Sequence, residues 1–300
     1  MKKYFFFLSI FAFSVNSYAQ VKGEREPYLT RSLTMEAIKN VELKTSGGSI
    51  SVTGVSSEAR IEVYVYPNNS KDDLSKEEIK QRLEERYDLD ISIENNKLTA
   101  IAKPKERITD WKKALNITFK VYVSQNVSTK LSTSGGSINL KNLFGNQDFS
   151  TSGGSLHMEE LSGKIEGRTS GGSIHVENSK DEIDLSTSGG NIEARNCEGN
   201  IKLNTSGGSL NLNALKGIIK ASTSGGGING KNIQGELTAF TSGGGVQFND
   251  LSCSLETSTS GGHINISFKE LGKYVRISNS GGNIEVEVPG IKVLILNCRQ

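Results

Sequence analysis

Residues 169–192 read TSGGSIHVENSKDEIDLSTSGGNI, and this stretch decides the fold because it contains one complete repeat and the start of the next. We number each repeat from the serine of its Thr-Ser-Gly-Gly motif, which is position 0 and recurs every 18 residues. The serines are Ser134, Ser152, Ser170, Ser188, Ser206, Ser224, Ser242 and Ser260. An isolated copy precedes them at Ser46, and a variant follows at Ser280. Self-similarity at a fixed short period is typical of a stacked repeat architecture.

Within each repeat, apolar and polar residues alternate with a period of two, as in a strand with one buried face. Positions +4 and +6 are apolar and +5 is polar, as in Ile174, His175 and Val176. A second alternating run covers +13 to +17, as in Ile183 and Leu185. Glycine is frequent at +1, +2 and +11, which suits corners that need positive φ or close backbone approach. Each repeat is therefore predicted to be strand, bend, strand and Gly-Gly bend.

A repeat of this length has no room for a helical crossover, and no hairpin pattern pairs its two strands with each other. The pattern predicts an all-β fold, a right-handed single-stranded parallel β-helix (β-solenoid) with 18 residues per coil. Equivalent strands would stack about 4.8 Å apart. One short helical excursion is expected near residues 75–88, where Ser75 and Glu78 form a capping-box pattern.

The regularity of the repeat also divides the chain. The predicted parts are a signal peptide at 1–19, an N-terminal lead-in at 20–40 and the β-solenoid at 41–300. Within the solenoid we expect irregular coils with the helical insertion at 53–130, regular coils at 131–288 and a C-terminal cap strand at 289–300. The insertion contains enough strand and helix patterns to build a core of its own, so a separate subdomain is the alternative.

The first residues have the pattern of a Sec signal peptide. Lys2 and Lys3 precede the apolar run 4–15, which is too short to span a bilayer, and cleavage is predicted after Ala19. We therefore expect a secreted, periplasmic or cell-surface protein with no transmembrane segment. The formal net charge is +2 and no polybasic stretch occurs, so no nucleic-acid partner is expected.

The positions of the three cysteines do not predict a disulfide framework. Cys197 replaces an apolar residue at +9, and Cys253 lies in the +11 column three coils later. Three coil spacings separate them by roughly 14 Å, which is beyond disulfide reach. We interpret both as small hydrophobic residues, while the pairing state of Cys298 stays open.

Threonine occupies +17 in every repeat that begins at Ser134 through Ser242, with the same parity as the inward positions +13 and +15. We expect a corner ladder of hydroxyl groups bonded to neighbouring backbone. An outward threonine array for ordered water would need the opposite parity.

The outward polar columns at +3 and +5 are the candidate binding surface. These residues are Ser137, Ser155, Ser173, Asn191 and Ser209 at +3, and Asn139, His157, His175, Glu193 and Asn211 at +5. Repeated hydroxyls and amides offer many weak hydrogen bonds, so affinity would come from repetition across coils. Imidazoles occur in this column in only two adjacent coils, so no metal site is predicted.

No catalytic constellation is predicted. Carboxylates such as Glu166 and Asp184 are isolated, the repeat serine has no paired histidine, and the Gly-Gly loop lacks the lysine of a phosphate-binding loop. We therefore expect no enzymatic activity and no cofactor.

The pattern favours a non-enzymatic secreted or envelope solenoid that presents a repetitive polar surface to glycans, cell-envelope polymers or protein partners. One alternative is a periplasmic envelope-stress or signalling scaffold, and a second is a carbohydrate-active β-helix enzyme. The apolar segment 291–296 has little alternation. It would either cap the rod or pair with a second chain in an oligomer.

The recurrent Thr-Ser-Gly-Gly-Ser-Ile units follow a strand pattern at 117–123 and the segment Lys130-Leu131-Ser132. Together they resemble the bacterial putative-adhesin family of β-strand repeats, a domain of unknown function. The resemblance covers about residues 41–288. It implies a right-handed parallel β-helix and an adhesin-like role in a secreted or envelope protein. It supplies no active site, so no functional residue is carried over.

Overall fold

The computed structural model describes residues 26–68, 74–107 and 114–296, with the backbone alone for 291–296. The predicted signal segment 1–19 and Cys298 lie outside the described residues. The elements in chain order are β1 Leu29–Ser32, β2 Asn40–Lys44, β3 Ile50–Gly54, β4 Arg60–Pro67, α1 Lys76–Arg86, β5 Tyr87–Glu94, β6 Lys97–Pro104, β7 Leu115–Val123, β8 Ser128–Ser132, β9 Ile138–Phe144, β10 Gln147–Ser150, β11 Leu156–Thr169, β12 Ile174–Glu177, β13 Lys180–Thr187, β14 Ile192–Arg195, β15 Glu198–Thr205, β16 Leu210–Asn213, β17 Lys216–Ser222, β18 Ile228–Lys231, β19 Gln234–Phe240, β20 Val246–Thr259, β21 Ile264–Asn279, β22 Ile284–Val288 and β23 Ile291–Leu296.

Equivalent strands of successive repeats pair in parallel at an offset of one repeat. Ile174 lies between Leu156 and Ile192, and the same relation holds for Ile183 in the second strand of the repeat. The chain forms a β-solenoid of about 9 turns with about 18 residues per turn and one helix, which confirms the predicted fold class. We call the sheet formed by positions +4 to +7 the short face and the sheet formed by +10 to +17 the long face.

The inward side chains of both faces form one hydrophobic core. In two places a large aromatic side chain in one coil lies next to a glycine at the same position of the adjacent coil. A Cβ atom on Gly167 would lie 2.4 Å from the ring of Phe149, and one on Gly230 would lie 2.6 Å from the ring of Phe248. Each glycine therefore makes room for the aromatic ring of its neighbouring coil, which keeps the core filled without forcing the coils apart.

Cys197 and Cys253 are both buried and free, as expected from their columns. Burial raises the pKa of the Cys253 thiol to about 12, so this thiol stays protonated at neutral pH. Burial also raises the pKa of Cys197. Since the thiolate is the reactive form of cysteine, neither side chain is suited to nucleophilic chemistry.

The corner between the two faces depends on a left-handed residue at +8. In the coils that begin at Ser134 through Ser242 this residue has φ between 50° and 57°, and the set is Asn142, Glu160, Asn178, Asn196, Ala214, Asn232 and Asp250. Asparagine and aspartate adopt this conformation more readily than other non-glycine residues, which accounts for their frequency in the column. The sequence-based prediction does not include this corner. It does include the glycine corner at +11, which is confirmed by φ of 102° at Gly163 and 123° at Gly199.

The two glycines of the Thr-Ser-Gly-Gly motif have different roles. A Cβ atom on Gly172, at +2, would lie 1.9 Å from the carbonyl oxygen of Gly154 in the preceding coil. A Cβ atom on Gly171, at +1, would have its nearest neighbour 3.6 Å away, at the carbonyl oxygen of Ser152. Close backbone approach therefore requires glycine at +2, whereas +1 has room for a methyl group.

The threonine at +17 joins two coils through one hydroxyl group. Thr187 Oγ1 donates to the carbonyl oxygen of Gly172 at 2.8 Å and accepts from the backbone N–H of Gly190 at 3.3 Å. The hydroxyl-to-carbonyl bond recurs at Thr133, Thr151, Thr169, Thr205, Thr223, Thr241 and Thr259. All these side chains are buried, so the predicted hydroxyl ladder is confirmed. At the end of the stack Asn279 takes this role, and its Nδ2 donates to Gly262 at 2.8 Å.

We expect Thr187→Val to lower the free energy of unfolding by about 1–3 kcal/mol, because the valine leaves one hydrogen bond of a buried carbonyl and one of a buried N–H unmade. Thr187→Ser keeps the hydroxyl and serves as the matched control. It should lower the free energy of unfolding by a smaller amount, because only a methyl group is removed. Urea denaturation of the three proteins measures the difference. Equal stability of the valine variant and wild type would contradict a stabilising role for the ladder.

The N-terminal strands β2 and β3 lie between two coils that come later in the chain. β2 pairs in parallel with β6 on one side and β8 on the other, and β3 pairs in the same way with β7 and β9. On the side of β6 away from β2, β5 pairs antiparallel with β6. On the side of β7 away from β3, β4 pairs antiparallel with β7, and β1 pairs antiparallel with β4. The strands of segment 53–130 are therefore hydrogen-bonded into the same sheets as the regular coils.

Helix α1 lies against this N-terminal end of the stack. The predicted capping box is present, since the Ser75 hydroxyl accepts from the Glu78 N–H and the Glu78 carboxylate accepts from the Ser75 N–H. Leu83 and Tyr87 are buried in the common hydrophobic core, with Ile79 partly buried against it. The hairpin turn between β5 and β6 is formed by Asn95 and Asn96, which both have positive φ.

At the C-terminal end, β22 pairs in parallel with β21 and antiparallel with β23. The reversal occurs at Pro289 and Gly290, and Gly290 has φ of 82°. Among the described residues, β23 pairs with β22 alone. It therefore covers one edge of β22, and an oligomer built through 291–296 stays a prediction.

Candidate functional site

The short face exposes two columns of side chains, at +5 and +7, because each strand of this face has two outward positions per coil. We call this surface the short-face strip. Its +5 members are Asn139, His157, His175, Glu193, Asn211, Asn229 and Gln247, and its +7 members are Lys141, Glu159, Glu177, Arg195, Asn213, Lys231 and Asn249. Two shallow depressions of about 510 and 330 Å³ lie along the strip and share Glu193 and Arg195. The strip is thus a continuous, shallow surface that follows the stacking axis.

The five predicted residues at +3 lie at the Gly-Gly corner, beside the strip. The Ser137 hydroxyl accepts from the N–H of Ser155 at 3.2 Å, and Asn191 Oδ1 accepts from the N–H of Ser209 at 2.8 Å. The Ser209 hydroxyl accepts in the same way from Gly227. Ser155 and Ser173 are half-buried in this column. Where these bonds form, a +3 side chain satisfies the backbone of the next coil, which reduces what it can offer to a ligand.

The +5 residues at the centre of the strip form a connected cluster. The imidazole rings of His157 and His175 stack in parallel, with centroids 5.1 Å apart and an interplanar angle of 2°. His175 Nδ1 lies 3.1 Å from Glu193 Oε2, and Arg195 contacts the other carboxylate oxygen of Glu193. Arg195 first, and then His175, hold the pKa of Glu193 below its ordinary value. The structure therefore brings three of the predicted +5 residues together and adds Arg195.

His157 differs from an ordinary surface histidine. Partial burial, and then the neighbouring His175, lower its pKa from the ordinary value of 6.5. Near pH 6.5 the unfolded chain therefore binds more protons at His157 than the folded chain does, so the contribution of His157 to stability falls as the pH falls through that value. Glu193 affects stability in a separate pH range. Because its pKa is lowered from the ordinary value of 4.5, its contribution to stability is lost only as the pH falls below that value.

We expect the urea midpoint of the wild type to decrease between about pH 7.5 and about pH 5.5, because the histidine reference pKa of about 6.5 lies inside that interval. His157→Gln should show a smaller decrease, since glutamine does not titrate. Urea denaturation at the two pH values tests this. An identical decrease in both proteins, or an increase in the wild type, would show that His157 does not set the slope.

Charges along the strip are paired in the N-terminal part and sparse in the C-terminal part. Lys141 Nζ lies 2.7 Å from Glu159 Oε1. Farther along, Asn229 Nδ2 donates to Asn211 Oδ1 at 3.2 Å, and Lys231 lies next to them in the +7 column. The strip therefore changes from ion pairs to carboxamides along its length.

The sequence-based site prediction omits the +7 column, although +7 has the same outward parity as +5. Asn213, Lys231 and Asn249 would follow from that parity. Position +7 follows the last apolar position of the strand and comes just before the +8 corner, so the alternation of +4 to +6 does not reveal it. The signal that identifies the column is the run of charged and amide residues at this position.

The described part of the chain contains no group of three or more His, Cys, Asp or Glu side chains arranged to hold a metal ion. Within the same residues, no helix is long and apolar enough to cross a membrane. The strip presents hydrogen-bonding and charged side chains at two outward positions of each coil.

No family model matches the sequence, and no curated protein matches it. Among solved structures, the chain matches a "putative lipid binding protein" from Parabacteroides distasonis, a "putative adhesin" from Bacteroides fragilis and a "putative adhesin" from Parabacteroides merdae. The first has 14% identity and a TM-score of 0.37, and the match covers 89% of this chain and 98% of that one. The second has 11% identity, a TM-score of 0.31 and coverage of 87% and 96%. The third has 14% identity, a TM-score of 0.30 and coverage of 86% and 95%. None of these likenesses identifies a ligand.

Proposed function

We propose that the chain is a non-enzymatic binding module of the cell envelope or exterior, whose short-face strip holds an extended glycan or envelope polymer. The observation that carries this proposal is the strip itself, with polar side chains in two columns over successive coils. Outward residues of adjacent coils are spaced by about 4.8 Å, so a linear polymer along the axis meets the same kind of contact repeatedly. Weak contacts then add up to useful affinity.

The chemistry of the side chains supports binding rather than catalysis. Carboxamides both donate and accept hydrogen bonds, so they match the hydroxyl groups of a sugar chain. The carboxylate of Glu193 is engaged with Arg195 and His175, and that of Glu159 with Lys141, so neither is placed as a free general acid or base.

The test is an oligosaccharide-binding screen of the purified chain without the predicted signal segment. We expect the double variant Asn213→Ala with Gln247→Ala to weaken binding about fivefold or more, since two lost hydrogen bonds together contribute about 1–3 kcal/mol. Both side chains are exposed in the same depression.

The matched control is Asn200→Ala with Gln234→Ala, which removes the same two side-chain types from exposed positions of the long face. This control should bind like the wild type. Equal losses in both double variants, or no binding to any oligosaccharide, would contradict the proposal. Shortened products after incubation would contradict the absence of enzymatic activity.

A further inference from the structure

The C-terminal part of the short-face strip differs chemically from the rest. We call it the amide patch, and it consists of Asn211, Asn213, Asn229, Lys231, Gln247 and Asn249. Carboxamides fill every position but one. The N-terminal part of the strip instead contains the ion pair of Lys141 with Glu159 and the cluster around Glu193.

Most of the carboxamides in the amide patch are available to a ligand. Among the described residues, the side chains of Asn213, Gln247 and Asn249 form no hydrogen bond within the chain, and all three are exposed. Asn229 uses one of its two N–H donors on Asn211 and keeps the other. Each free carboxamide offers two donors and one acceptor, which suits a ligand rich in hydroxyl groups.

Lys231 gives the amide patch a positive charge that nothing in the patch balances. Its neighbours in the +7 column are Asn213 and Asn249, which are neutral. The depression also contains Glu193 and Arg195, but these two charges contact and offset each other. In the described part of the chain, no carboxylate lies within ion-pair distance of Lys231. Its ammonium group is therefore free to meet an anion.

The amide patch lacks the features of a protein-binding surface. Protein interfaces have apolar and aromatic residues at their centre. The exposed large apolar side chains of the described residues lie elsewhere, for example Phe144, Ile218 and Phe240 on the long face. A flat row of amides with one cation fits a hydrated, hydroxyl-rich chain better than a folded protein.

We propose that the amide patch binds an anionic polysaccharide, with hydroxyl groups on the carboxamides and a carboxylate or sulfate group on Lys231. This inference rests on the proposed glycan-binding function and specifies the class of glycan. The polymer lies along the stacking axis, and its anionic substituent is held between the amides of the two neighbouring coils.

The experiment compares neutral oligosaccharides with their uronic-acid and sulfated counterparts, using the purified chain, the variant Lys231→Gln and the control Lys220→Gln. Lys220 is an exposed lysine on the long face. We expect the acidic oligosaccharides to bind more tightly than the neutral ones, and Lys231→Gln to weaken acidic binding by roughly fivefold, the upper range for an exposed ion pair. Lys231→Gln should weaken acidic binding more than neutral binding, Lys220→Gln should leave acidic binding at the wild-type level, and added salt should weaken acidic binding more than neutral binding.

The outcomes separate the two proposals. Equal affinity for neutral and acidic chains, or no effect of Lys231→Gln on acidic binding, would overturn the inference while glycan binding itself stands. Binding to proteins but to no oligosaccharide would overturn both. A preference for carboxylated over sulfated chains, or the reverse, would support the inference and identify the source of the anion.

Discussion

Gly172→Ala is expected to destabilise the solenoid by at least about 3 kcal/mol, at or beyond the upper range for inserting a methyl group into a well-packed region. The added Cβ would lie 1.9 Å from the Gly154 carbonyl oxygen, so the two coils would have to separate at this corner. Separation would also disturb the hydroxyl of Thr169, which accepts from the Gly172 N–H. Urea denaturation measures the loss, and hydrogen exchange locates it in the coils on either side.

Gly171→Ala is the matched control because it adds the same methyl group one residue earlier. Its Cβ has ordinary contact distances, and φ lies outside the left-handed range at both glycines. We expect a change of about 0.5 kcal/mol or less, of either sign. Similar losses in the two variants would mean that backbone entropy, rather than contact between coils, explains the Gly-Gly motif.

The second large effect is expected for Ile174→Asp, which should cost about 4 kcal/mol or more. Ile174 is fully buried between Leu156 and Ile192 in the +4 column. The substitution loses the packing of a large side chain and places a carboxylate in an apolar core with no partner. Circular dichroism with limited proteolysis measures the result even where the variant does not fold completely.

Two controls separate charge from position. Ile174→Val keeps an apolar side chain in the core and should cost about 0.5–1.5 kcal/mol. Asn213→Asp introduces the same carboxylate on the exposed short-face strip, and we expect it to leave stability nearly unchanged. A tolerant Ile174→Asp variant would contradict the assignment of the +4 column to the core.

Much of the solenoid follows from the sequence because parity and period act together. Ile174 and Val176 are buried as their alternation predicts, and Thr187 bonds to backbone as its inward parity predicts. Each of these residues repeats in neighbouring coils, so a single alignment of the repeats defines its surroundings. The strongest predictions therefore concern side chains whose environment consists of copies of themselves.

The features that were not predicted have no such periodic signal. Strand β1 lies in a segment without alternation, and its pairing with β4 depends on long-range contact. The position of β2 and β3 between β6–β7 and β8–β9 follows from the path of a segment that lacks the repeat.

For the candidate site, parity predicts only that the +5 column faces outward, and its role in binding stays a prediction. Column +5 was identified by parity, but the division of the strip into ion pairs and amides depends on side-chain contacts such as that of His175 with Glu193. Residue types alone do not show which charges are offset. That the charge of Lys231 is not offset follows only from the structure, which places neutral residues beside it and Glu193 in contact with Arg195.

The location of β2 and β3 has a consequence for the order in which the chain acquires structure during synthesis. Both neighbours of these strands emerge from the ribosome after them, since β6 begins at Lys97 and β9 ends at Phe144. Later coils, by contrast, find a finished template only one repeat behind them. We expect β2 and β3 to lack their strand partners while translation proceeds. Binding of chaperones to the nascent chain should therefore be concentrated on these strands until residue 144 has emerged from the ribosome.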